Sequence, residues 1–155
     1  MVSLRVLADD EVPATVSRIT DGYVASRIDA GEDPEEVRAT SAAQRKALVP
    51  EGRPAEGQHL MHEVDGADVV GLLWMGRPMA GPDSTWFDYF VEVDEGRRGR
   101  GYGRAAMEAA KRWTRERGGT RVALNVVGPN VVARSLYDAL GYRVLATAMY
   151  KDVGD

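Results

Sequence analysis

Val91-Glu92-Val93-Asp94-Glu95-Gly96-Arg97-Arg98-Gly99-Arg100-Gly101-Tyr102-Gly103-Arg104 is the stretch that decides how this chain is built. The apolar run from Thr85 to Val93 reads as a strand leading into it. A polar loop follows, with glycine at the alternate positions 99, 101 and 103. Arg104 to Arg117 then reads as a helix, with Ala105, Ala106, Met107, Ala109, Ala110 and Trp113 as its apolar content. A strand, a glycine-rich loop and a helix in that order aim unpaired backbone N–H groups and the positive end of a helix dipole at one point. Glycine lets an anion approach the backbone with no side chain in the way. Arg97, Arg98, Arg100 and Arg104 add guanidinium groups that can donate in pairs to phosphate oxygens. The physical reading is a phosphate cradle; the bland alternative is turn chemistry beside a solvated basic face.

Two other phosphate motifs fit less well. Gly101-Tyr102-Gly103-Arg104-Ala105-Ala106 matches G-x-G-x-x-A, but the acid expected about 20 residues on is missing, since Ala123-Leu124-Asn125-Val126 stands there. Too little chain follows for a dinucleotide-binding domain. The Gly-Lys-Ser/Thr of a nucleoside-triphosphate loop is absent.

Moving outward, Ser3 to Ala8 reads as a first strand. Val16, Ile19, Tyr23, Val24 and Ile28 recur at helical spacing up to about Ala30. Asp33-Pro34-Glu35-Glu36 opens a second helix, to about Leu48, with an N-cap, a proline and two acids in its first turn. Its apolar stripe is thin, so the pair is expected to be a flap beside a substrate rather than core. Gln58 to Val64 and Ala67 to Met75 form a hairpin around Asp65-Gly66. Period two along the central strand places Asp88 and Glu92 on one face with Trp86 and Phe90, and Phe87, Tyr89, Val91 and Val93 on the other. After Gly118-Gly119, Arg121 to Val127 is a buried strand. Val131 to Leu140 is a helix with Val132, Leu136 and Leu140 inward, and Tyr142–Leu145 and Ala146–Lys151 are two closing strands. The expected fold is mixed α/β: a mostly antiparallel sheet of about seven strands with about four helices on its faces, in one domain over 1–155.

The spacing Arg98-x-x-Gly101-x-Gly103 resembles the pyrophosphate loop of the GCN5-related N-acetyltransferase (GNAT) superfamily. Asn130-Val131-Val132-Ala133-Arg134-Ser135-Leu136-Tyr137-Asp138-Ala139-Leu140-Gly141-Tyr142 resembles that family's second signature, one strand later. The resemblance implies an acetyl-CoA-dependent N-acetyltransferase acting on a primary amine. It implies that backbone at Val91 and Val93 pairs with the pantetheine arm. Backbone N–H groups of Arg98, Gly99, Arg100, Gly101, Tyr102, Gly103 and Arg104 would hold the diphosphate. Asn130 would bond the pantetheine or cap its helix, and Tyr137 would protonate the departing thiolate or simply pack. Some relatives carry a glutamate where this chain has Asn125, so a non-catalytic acyl-CoA-binding module is the alternative. Asp88 and Glu92 remain as general-base candidates, with Glu92 favoured for its nearness to the loop, or either is merely a paired surface charge.

Composition bounds the rest. The chain has 155 residues, 44% of them apolar, and a net charge of −4 that argues against nonspecific nucleic-acid binding. It has no cysteine, so neither a disulfide framework nor a cysteine acyl-enzyme is available, and attack within a ternary complex is the expected route. No metal is expected. His59 and His62 lie three apart on a strand and face opposite sides. Without a membrane-length apolar run or signal peptide, a cytoplasmic protein is expected, with acetyl-CoA and an amine as partners. A second copy in a homodimer is a further candidate partner; no nucleic acid and no membrane are expected. Asp83, Asp88, Glu92 and Asp94 lean slightly toward a cationic amine, and Tyr23, Trp74, Trp86 and Phe90 either line a pocket or fill the core.

Overall fold

The computed structural model describes residues 1–154. Five strands make one sheet in sequence order: β1 (Ser3–Val6), β2 (Gln58–Asp65), β3 (Asp68–Gly76), β4 (Thr85–Val93) and β5 (Arg121–Leu124). The pairings are antiparallel except β4–β5, which is parallel. A parallel neighbour needs a crossover, and α3 (Tyr102–Glu116) supplies it. The other helices are α1 (Val12–Asp29), α2 (Pro34–Leu48) and α4 (Val131–Ala139).

Local chemistry fixes the boundaries. Gly66, at φ 63°, makes the tight turn between β2 and β3, where Asp65 faces Asp68. The Asp33 carboxylate accepts from the Glu35 and Glu36 N–H groups at 3.0 Å each, with Pro34 next in line, so α2 starts there. Asn130 caps α4 by accepting from the Ala133 N–H at 3.2 Å.

Each face of the sheet buries its own core. Val12, Val16 and Ile19 of α1 and Leu48 of α2 pack on Leu60, Leu72 and Trp74. On the opposite face Ala110 and Trp113 of α3 pack on Met61, Leu73, Met75 and Trp86. The α1–α2 pair is therefore structural. The thin stripe of α2 suffices because α1 supplies three buried aliphatics between it and the sheet. No helix among the described residues is long and apolar enough to cross a membrane.

The C-terminal expectations are corrected. β5 stops at Leu124 instead of Val127, and residues 142–154 form no strand, so the sheet has five strands rather than about seven. The two expected closing strands abut at Leu145-Ala146 without a turn residue, and a hairpin needs one. Val144, Leu145, Met149 and Tyr150 stay exposed. On α4, Val132 is exposed and Tyr137 is the buried residue.

The face assignment along β4 is also corrected. Trp74 faces Phe90 while Met75 faces Asp88, so Tyr89 is an extra residue on β4. Such a bulge reverses the parity of the strand. Trp86 and Asp88 share the α3 face, whereas Phe90 and Glu92 share the α1 face.

Candidate active site

The loop leaving β4 is shaped as a cradle. A 3-10 turn at Glu95–Arg97 leads to Gly99 (φ 72°) and Gly101 (φ 84°), both in the left-handed region that only glycine enters without strain. Gly101 occupies the N-cap of α3 but offers no side chain to cap it. Among the described residues, the backbone N–H groups from Gly99 to Arg104 donate no hydrogen bond, and no atom lies within 4 Å of where a Cβ on either left-handed glycine would stand. Six free donors over open space at a helix N-terminus have the geometry that suits an anion. A Cβ on Gly103 would meet Leu136 at 3.1 Å, so that glycine lets α4 pack against the start of α3.

The arginines divide their tasks. Arg97 pairs with Asp68 at 3.0 Å, and Arg98 Nε donates to the Val93 carbonyl at 3.1 Å, bracing the loop. The Val93 carbonyl is thus already engaged. Arg100 and Arg104 are exposed and form no ion pair among the described residues. Tyr102 is anchored by its hydroxyl, which donates to Asp65 at 2.9 Å.

Beside the cradle, β4 has an open edge. Its last partner on β5 is Leu124, opposite Asp88, so from Tyr89 to Val93 that edge faces no strand. An exposed edge is a template for an extended ligand.

Where β5 leaves, the α3 face holds a buried polar cluster. The Asp88 carboxylate is buried with no hydrogen-bond partner, and burial raises its pKa to about 7, with the Phe90 backbone N–H offsetting a little of that. Glu63 of β2 is also buried and unpartnered; burial, then the charges of Asp88 and Asp94, raise it to about 8. Tyr137 on α4 is pushed above the usual phenol range by burial and then by Asp88. Tyr142 is pushed up to about 12 by burial, then by Asp88 and Glu108. The two tyrosine rings lie 5.5 Å apart. Asp88 lies near enough for its charge to act on Tyr137, and its charge also acts on Glu63 and Tyr142. The signal for Glu63 was a lone acid in phase with Met61 on β2.

Glu92 stands apart from this cluster, on the α1 face, bound to Arg18 at 2.9 Å. Asn125 is exposed just past β5. The histidines divide as expected. His62 pairs with Glu11 at 3.1 Å, while His59 packs against Trp86 and Trp113 on the α3 face.

The α1 face also carries a groove of about 410 Å³ between α1 and α2. It adjoins a smaller recess whose floor includes Trp74, Tyr89 and Phe90, with Tyr23 on its wall. The two share Thr20, Ser41 and Arg45, and the recess reaches the bulge of β4 at Tyr89. Three of the four aromatics picked from the sequence reach it; Trp86 lies on the opposite face.

Comparison with known proteins points to the acetyltransferases. The chain is 27% identical over 152 residues to the uncharacterised N-acetyltransferase YycN of Bacillus subtilis, covering 97% of both chains. The crystal structure of that protein superposes with a TM-score of 0.88 at 26% identity over all of both chains. A segment of 87 residues, 56% of this chain and 28% of the relative, is 37% identical to the mycothiol acetyltransferase of Beutenbergia cavernae. The aminoglycoside N-acetyltransferase AAC(6′)-Iy, solved in complex with CoA, shares the fold at a TM-score of 0.57 and 12% identity, with 98% of this chain and 94% of that one covered. Residues 21–142 match the model of the acetyltransferase (GNAT) family. That span takes in the bulged strand, the cradle and the Tyr137 helix, so the chain belongs to the acetyltransferase (GNAT) family.

Proposed function

We propose that this protein transfers an acetyl group from acetyl-CoA to a primary amine by direct attack in a ternary complex. The observation that carries the reading is the set of six undonated N–H groups beside the open edge of β4. One feature suits a diphosphate and the other an extended arm. The fold neighbour solved with CoA adds support. Acetyl-CoA would supply a thioester whose thiolate is a tolerable leaving group, a thiol having a pKa of about 8.5.

The chain's own groups account for the rest. N–H groups of Gly99 to Arg104 hold the diphosphate, with Arg100 and Arg104 beside them. The main chain of Val91 and the N–H of Val93 on the free edge orient the arm, the Val93 carbonyl being held by Arg98. The Asn130 carbonyl oxygen is committed to its helix cap, which leaves only its amide N–H₂ to donate. The incoming amine must shed a proton as its C–N bond forms and the C–S bond breaks. Asp88, unpartnered and with a pKa near 7, is matched to receive that proton. Tyr137, kept protonated by its burial, would give one to the departing sulfur. Asp88 replaces Glu92 as the favoured base because Glu92 is already neutralised by Arg18.

Acetyl-CoA should raise the melting temperature, and an amine panel should release free thiol. Stabilisation without thiol release from any amine would instead identify an acyl-CoA-binding module, the outcome that Asn125 invites. No stabilisation at all would remove the cradle assignment.

A further inference from the structure

The acceptor side of the molecule carries two arginines that nothing in the fold employs. Arg38 and Arg45, one on each side of Ser41 along α2, line the groove between α1 and α2. Eight ion pairs form among the described residues, and neither arginine is in any of them. Arg45 also borders the inner recess, so it is common to the groove and the aromatic-floored recess. One carboxylate, Asp21, shares the lining and pairs with neither, which leaves the groove net positive. The acids that lean toward a cationic amine in the sequence are elsewhere. Asp88 is buried on the other face, and Glu92 is bound to Arg18.

From this charge balance, and resting on the acetyl-transfer reading above, we infer that the acceptor is an anionic amine. Its apolar middle lies on Trp74, Tyr89 and Phe90, and its carboxylate or phosphate is gripped by Arg38 and Arg45. Guanidinium is the cation suited to this: it donates in a planar fork to either oxyanion and stays charged at every physiological pH. An anion at the mouth also fixes which end of the acceptor points inward, leaving the amine at the β4 bulge.

The test uses the full chain, acetyl-CoA and three matched acceptors: δ-aminovalerate, aminobutyl phosphate and pentylamine. Thiol release should favour at least one anionic acceptor over pentylamine by about tenfold or more in kcat/KM, and which one identifies the oxyanion. The double variant Arg38→Gln/Arg45→Gln should erase that preference through KM, with kcat little changed, and Arg38→Lys/Arg45→Lys should restore part of it. Pentylamine or a polyamine turning over as well as both anionic acceptors would overturn the inference, as would a preference that survives the double glutamine variant. A second readout does not need transfer. The Trp74 indole N–H, which donates to Gln58 at 3.0 Å, should shift saturably in NMR spectra with the favoured anion, and not in the double glutamine variant. If acetyl-CoA fails to bind, the acetyl-transfer reading falls by itself; the groove assignment falls only if neither anion moves that resonance.

Discussion

Replacing Glu63 with glutamine should change how stability depends on pH. Glu63 is fully buried and unpartnered, and its pKa rises from 4.5 to about 8 in the fold. Each pH unit of such a difference is worth about 1.36 kcal/mol, so ionising this carboxylate inside the fold costs on the order of 5 kcal/mol. The sign follows from proton counting. Between about pH 4.5 and 8 the unfolded chain has released this proton and the native chain keeps it. The native state binds more protons there, so stability falls as pH rises, and the contribution is complete below 4.5 and gone above about 8. Glu63→Gln removes the titration but keeps the buried amide at every pH. In urea titrations at matched ionic strength, the variant should therefore gain on the wild type by a few kcal/mol between pH 5 and pH 8.5. At a few degrees per kcal/mol for a chain of this size, the melting-temperature difference should swing by roughly 5–15 °C. A difference between the two proteins that is the same at both pH values would refute the reasoning.

The other tests address the chemistry. Gly101→Glu forces a side chain onto a backbone at φ 84° and places a carboxylate in the cradle, so stabilisation by acetyl-CoA should vanish; retained micromolar affinity would contradict that. Asp88→Asn should lower kcat by about 10²-fold or more and abolish the titration near pH 7 in the rate profile. Glu92→Gln breaks only a half-exposed ion pair with Arg18, worth about 1 kcal/mol or less, and should leave turnover within about threefold. The reverse ranking of these two variants would return the base to Glu92. Tyr137→Phe should slow acetyl transfer by about tenfold or more while cofactor affinity holds, checked by parallel kinetics and calorimetry.

The parts of the fold written in short-range chemistry were legible from the chain. Asp33-Pro34 announces α2, Gly66 the first hairpin, and the alternating glycines the cradle, since each requirement is local to a few dihedral angles. What escaped depends on partners distant in sequence. The bulge at Tyr89 is invisible in the strand itself, because Thr85 to Val93 is apolar throughout and any register looks acceptable until β3 imposes one. The C-terminal residues have strand-like composition, but composition says nothing about the missing turn between the two runs. Glu63 passed as one polar residue in a half-buried strand; its isolation emerges only when α3 and β4 close over it. The apolar stripe of α2 looked too thin for a core helix, because α1's contribution beneath it could not be counted from α2 alone.

The extra residue at position 89 lets one ribbon of chain furnish two chambers. Upstream of it the even-numbered Trp86 and Asp88 lie under α3; downstream the parity is exchanged, and Phe90 and Glu92 face α1. Deleting Tyr89 would be the backbone equivalent of a frameshift, turning Glu92 toward the apolar layer under α3 and Val91 toward α1.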